Sequence, residues 1–110
     1  MSDKKTIYLL GDTEHADVSE LITALNDVGV EVKPVTTNEQ FSVVILCVTN
    51  TELSKEVWRA LDANRTARIL PAIFRGGSIP AIFAGIKPAD FTKNSAKALA
   101  DLTYAIRKFC

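Results

Sequence analysis

The sequence predicts an α/β fold of three layers, in which a five-stranded, mostly parallel sheet in the order 2-1-3-4-5 carries helices on both faces. Three observations carry that expectation. Short apolar runs rich in β-forming residues alternate along the chain with amphipathic segments of period 3.6, the pattern of strands joined by crossover helices. One run, residues 43–48 (VVILCV), is apolar throughout, as a strand covered on both faces requires. Right-handed crossovers between parallel strands then favour the flavodoxin-like arrangement.

Each element follows from its residues. Residues 6–10 (TIYLL) stop at Gly11-Asp12 and read as the first buried strand. In residues 15–28, Val18, Leu21, Ile22, Leu25 and Val28 recur at spacings of three and four, and Gly29 supplies a left-handed stop. Asp12 or Thr13 is placed to accept from the free amides of this helix, with Glu14 and Asp17 near its positive end. Residues 30–35 form an edge strand, where Pro34 is tolerated. The third strand runs from Phe41 or Ser42 to Val48. Thr49-Asn50-Thr51-Glu52 matches a capping box, and the following helix reaches about Ala63 with Leu53, Val57, Ala60 and Leu61 inward. Residues 67–74 (ARILPAIF) read as a buried strand despite Pro71, and Gly76-Gly77 as a turn. Residues 79–86 suit a single turn or irregular segment, residues 89–92 a short last strand, and residues 95–109 a helix with Leu99, Leu102, Ile106 and Phe109 on one side.

One connection is too short for the pattern. Between the second and third strands only residues 36–40 or so are available, fewer than the dozen a crossover helix needs. About seven extended residues span roughly 23 Å, enough for a taut loop. Such a loop leaves part of one sheet face bare, and bare apolar area is a natural contact surface.

Composition bounds the function. With 110 residues and 47% apolar content, residues 1–110 are expected to form a single domain. No apolar stretch is long enough to cross a bilayer and no signal-peptide pattern opens the chain, so a soluble, cytoplasmic protein is expected, with no membrane partner. Cys47 lies inside a strand and Cys110 at the last position, with neither disulfide nor metal spacing. Lysines and arginines do not cluster with aromatics, which gives no support to nucleic-acid binding. Charge is balanced overall but unevenly spread. Residues 1–50 hold eight acids and three bases, a net −5, and residues 51–110 hold ten bases and five acids, a net +5. In a compact fold this is an electric dipole, favouring head-to-tail association with a second copy or docking to a charged partner domain, although solvated helix faces also produce such asymmetry.

Residues 43–62, VVILCVTNTELSKEVWRALD, join a buried strand through a polar turn to a helix bearing an isolated Trp and an acid four residues later. With ILPAIF and IPAIFAGIKPADF further on, this stretch resembles the Toll/interleukin-1 receptor (TIR) family, and the likeness extends over residues 6–109. The chain is similar to a short, divergent member: the first strand reads Ile7-Tyr8-Leu9-Leu10-Gly11-Asp12, and the loop and helix that follow the family's second strand are essentially deleted. The resemblance implies a signalling module that acts by self-association or docking to another protein domain. It also implies a second possibility, because enzymatic members cleave the glycosidic bond of NAD with a Glu in this helix. Asp62 matches that position, one methylene shorter, and a carboxylate aimed at the ribose stabilises an oxocarbenium-like state. Ser54, Trp58 and Asp62 are spaced i, i+4, i+8, compatible with one wall of a pocket beside the strand ends. Asp12, Ser54 and Trp58 are the candidate NAD-binding residues and Asp62 the candidate catalytic one.

Each candidate has a plainer reading beside it. Trp58 borders the Leu53, Val57, Leu61 stripe and reads as packing; Asp62 reads as a solvated acid, and Asp12 as a helix cap. His15, the only histidine, reads as solvent-facing, and Gly76-Gly77 lacks the context of a phosphate-cradling loop. The favoured expectation is therefore an interaction module without catalysis and without a required cofactor. An NAD-binding or NAD-cleaving hydrolase is the alternative. A receiver-like regulator is a second alternative, weakened because Val48-Thr49-Asn50 offers no acid at the end of the third strand.

Overall fold

The computed structural model describes residues 5–12, 14–35, 40–50, 52–78, 85–86 and 88–109. Its elements are β1 (Lys5–Leu10), α1 (Ala16–Asp27), β2 (Val30–Pro34), β3 (Val43–Val48), α2 (Lys55–Ala63), β4 (Arg68–Ile73), β5 (Ala89–Asp90) and α3 (Ser95–Phe109). The strands form one sheet in the order β2-β1-β3-β4-β5, and every pairing is parallel. The apolar run of β3 is central as expected, in register with β1 from Tyr8↔Val44 to Leu10↔Leu46 and with β4 from Val43↔Arg68 to Val48↔Ile73.

Helices cover both faces. On one, Val18, Leu21 and Leu25 of α1 and Ala98, Leu102 and Ile106 of α3 pack against Ile7, Leu9, Ile45, Cys47, Leu70 and Ala72. On the other, Val57 and Leu61 of α2 pack against Leu10, Val44, Leu46 and Val48, with Phe41 closing the cluster. Each fully buried aliphatic chain contributes ~1.5–3 kcal/mol relative to exposure, so the alternation of side chains along β3 secures both layers at once.

Pro71 is buried inside β4 without disrupting it. The amides of Arg68 and Phe74 donate to Ser42 and Val48 on the β3 side. By the two-residue period, position 71 turns its nitrogen the other way, and β5 pairs only opposite Ala72 and Ile73. The missing amide therefore removes no ladder bond. After β5, the backbone amide of Thr92 (2.9 Å) and its hydroxyl donate to the Asp90 carboxylate. These bonds end the strand and hold the Asp90 carboxyl below its ordinary range.

Both predicted helix caps moved. α1 begins at Ala16 and its N-cap is His15, whose Nδ1 accepts from the Asp17 amide at 3.2 Å; His15 is a structural acceptor instead of a purely solvent-facing side chain. Asp12 instead accepts from the Glu14 amide at 3.0 Å, capping the turn before the helix. α2 is capped by Ser54, whose Oγ accepts from Val57 at 3.3 Å, and not by Thr49. The polar turn after β3 runs farther before the helix opens, because the chain must climb from the sheet to the helical layer. Thr13, Thr51, Cys110 and segment 36–39, where a taut loop was expected, lie outside the described residues, as does the apolar segment 79–86 except for Gly85 and Ile86. The described residues between β2 and β3, at 35 and 40–42, form no helix.

Candidate functional site

β1 and β3 are neighbours, but the chain leaves them in opposite directions, β1 toward β2 at one edge and β3 toward β4 on the other side. Such a switch point opens a crevice outside the carboxyl ends of the strands. Here it has a volume of about 1000 Å³. Leu10, Gly11 and Asp12 come from the end of β1, Cys47, Thr49 and Asn50 from the end of β3, and Leu53, Ser54, Glu56, Val57, Arg59, Ala60 and Ala63 from α2 and the turn before it. Val35, Gln40 and Glu52 complete the lining.

The glycines here are set by close backbone approach. Gly11 has φ 135°, and a Cβ on it would lie 2.7 Å from the Cys47 carbonyl oxygen and 2.9 Å from Cys47 Cβ. Gly76, at φ 85°, and Gly77 form the turn after β4, where Gly77 donates to Phe74 O at 2.9 Å and Ser78 to Asn50 O at 3.3 Å. This turn therefore braces the exit of β3. Burial pushes the Cys47 thiol up to about 12, which keeps it protonated and chemically quiet.

The sequence candidates divide between two places. Asp12 and Ser54 line the crevice; Trp58 and Asp62 do not. Trp58, expected to be a partly buried packing residue, is 39% exposed. Asp62 borders a separate shallow depression with Gln40, Phe41, Ser42, Asn64 and Arg65. Its Oδ1 accepts from Arg65 Nε at 3.1 Å and Nη2 at 3.0 Å. The rotation of the helix separates them, since Ala63, farther along the axis than Asp62, still lines the crevice. Each residue turns ~100°, so Trp58 and Asp62, one step after the buried Val57 and Leu61, fall on one flank of α2, while Glu56 and Ala60, one step before, fall on the crevice flank. That flank, Glu56, Ala60 and Ala63, was missed by following the Trp and acid; its spacing of three and four was the available signal. Among the described residues no group of three or more His, Cys, Asp or Glu is arranged to hold a metal ion.

Among solved structures the chain is similar to the TIR domain of the Toll-related receptor TRR-2 from the lower metazoan Hydra magnipapillata, in its crystal form I, with a TM-score of 0.70 over 93% of this chain and 97% of that one. The fold is TIR-like. Sequence identity over that match is 11%, so the likeness is one of architecture. No protein-family model and no curated protein matches the chain. Among the described residues no helix is long and apolar enough to cross a membrane.

Proposed function

We propose that the chain is a divergent TIR-family signalling module, a single cytoplasmic domain acting by self-association or docking to a charged partner domain, without catalysis. The division of charge across the sheet carries this reading. Strand order turns the charge asymmetry of the sequence into a spatial one. β2, β1 and α1 occupy one flank, with Asp12, Glu14, Asp27 and Glu31 against Lys33; β4, β5 and α3 occupy the other, with Arg68, Lys93, Lys97, Arg107 and Lys108 against Asp90 and Asp101, while Asp17 and Glu20 share a depression with Arg75 between them. A second copy meets these flanks head to tail with opposite charges facing. Such contacts between exposed charges are screened within ~10 Å at ordinary salt.

Light scattering across protein concentration is expected to show association at ~50 mM salt that falls back toward the 12.0 kDa monomer at ~500 mM. Reversing Arg65, Arg68 or Arg75 to Glu tests where the contact lies. Arg65 and Arg68 precede β4 or open it, whereas Arg75 follows its carboxyl end, so the three do not form one patch. Reversal at the end that makes contact is expected to weaken association about tenfold, ~1.4 kcal/mol, with melting shifted far less because all three side chains are exposed. Equal losses in association and melting would assign the arginines to folding instead.

The NAD-cleaving alternative has less geometric support, since a carboxylate that serves the ribose must face the same cleft as the groups that bind the nucleotide. Asp12 and Ser54 remain its candidate binding groups, with Trp58 and Asp62 on the other flank. Incubation with NAD at high protein concentration is expected to return the dinucleotide intact by chromatography. Release of nicotinamide that disappears in Asp62→Ala would transfer the assignment to a hydrolase.

A further inference from the structure

The two faces of the sheet are unequally covered among the described residues: α1 and α3 pack on one, α2 alone on the other. A doubly wound fold ordinarily places a crossover helix between the second and third strands, but here residues 35–42 alone separate β2 from β3, too few for that helix. The crevice of about 1000 Å³ lies along the side of α2 that no described helix covers. It extends the length of the helix, from Asp12 and Asn50 at the carboxyl ends of the strands to Gln40 and Ala63 at the opposite end.

Its walls have the character of a helix seat. Leu53, Val57 and Ala60 recur on the α2 side at spacings of four and three, and Leu10 and Val35 stand on the strand side. Ala60 and Ala63 are small enough to let another helix axis approach to ~8–10 Å. Among the described residues the rim carries Asp12, Glu52 and Glu56 against the single cation Arg59, a net negative border. We propose that this crevice docks an amphipathic helix of a partner protein, apolar along one face and flanked by lysine or arginine, which supplies the layer that the short crossover omits. α2 spans nine residues, ~13 Å, so about three turns of partner helix fill the seat, in the helix-in-groove mode of recognition. The inference deepens the interaction reading and rests on it only in that the crevice docks a protein instead of performing chemistry.

The test uses a fluorescein-labelled peptide of about 14 residues, built of Leu, Ala and Lys with leucines at i, i+3, i+4 and i+7, beside a scrambled peptide of the same composition. Fluorescence anisotropy is expected to show the helical probe binding at least tenfold more tightly than the scrambled one. Ala63→Arg, which fills the seat, and Glu56→Lys, which reverses its rim, are each expected to weaken the probe at least tenfold. Glu56 is exposed, so that variant retains the fold even if Ala63→Arg does not. Equal affinity for the two peptides, or undiminished binding by Glu56→Lys, overturns the proposal. So does an Ala63→Arg protein that binds the probe normally but no longer self-associates, because the crevice then belongs to a second copy. Probe binding that persists in a chain that never self-associates upholds the helix seat while the self-association reading falls; self-association without probe binding does the reverse.

Discussion

Gly77→Ala is expected to lower the melting temperature by ~12 °C. A Cβ built on Gly77 falls inside the Val48 carbonyl oxygen, 2.8 Å from the Val48 carbonyl carbon and 3.1 Å from Phe74 O. Neither neighbour can yield cheaply. The Val48 carbonyl accepts the Phe74 amide at 3.0 Å, and the Phe74 carbonyl accepts Gly77's own amide at 2.9 Å. Moving the first breaks the bond that joins the end of β3 to Phe74, and moving the second breaks the bond that closes the turn. Overpacking against fixed atoms costs ~3 kcal/mol, and a domain of this size loses ~4 °C for each kcal/mol. Gly29→Ala is the control. Gly29 has φ 88° but nothing within 4 Å of an added Cβ, so only the left-handed strain of ~1 kcal/mol applies, and a shift of ~4 °C is expected. Thermal melts followed by circular dichroism compare the two. A Gly77→Ala protein melting within ~4 °C of the parent would mean that the turn does not clamp β3 as described.

That clamp was invisible in the sequence, where Gly76-Gly77 announced a turn and nothing about what the turn touches. The sheet was legible because its signal is local and repeated. The uninterrupted apolar run of Val43–Val48 calls for cover on two faces, and the short link after Pro34 leaves no room for a crossover helix. The caps were less legible, since Thr49, Ser54, Asp12 and His15 all carry an acceptor within a few residues of a helix start. The path of the chain out of the sheet, a tertiary property, selects among them. The site was split for a related reason. Residues spaced i, i+4, i+8 share a helix face, but sequence does not say whether that face meets the crevice. The buried pair Val57 and Leu61 fixes the rotation of α2, and that rotation sends Trp58 and Asp62 to one flank and Glu56 and Ala60 to the other. The charge split was plain in the sequence, and only strand order could make it spatial.

Asn64→Ala is the second substitution with a large expected effect, ~2–3 kcal/mol or ~8–12 °C. Asn64 is the one buried polar side chain among the described residues, 9% exposed. Its Oδ1 accepts the buried Phe41 amide at 3.0 Å, and its Nδ2 donates to Ala60 O at 2.9 Å. One side chain thus joins the end of α2 to the start of β3 across 23 positions of sequence. Alanine leaves the Phe41 amide without that acceptor in an apolar setting, a penalty of ~1–3 kcal/mol, and also removes the bond to a helix-end carbonyl. The neighbouring Arg65–Asp62 pair is the more conspicuous feature in the sequence, but its side chains are 81% and 72% exposed, and exposed pairs of this kind contribute ~0.5 kcal/mol or less. Asp62→Ala is therefore expected to melt within ~2 °C of the parent, several-fold less than Asn64→Ala. Hydrogen exchange gives the local readout: the Phe41 amide is expected to lose protection in Asn64→Ala by more than the fall in global stability, because its own acceptor has gone. Equal exchange at Phe41 in the two proteins would show that another group satisfies this amide. The bond also bears on the proposed helix seat. Gln40, beside Phe41, closes one end of the crevice, and Ala60 and Ala63, beside Asn64, form its α2 wall. Loosening the joint lets wall and floor move apart, so Asn64→Ala is expected to weaken a docked helix even at temperatures where the variant remains folded.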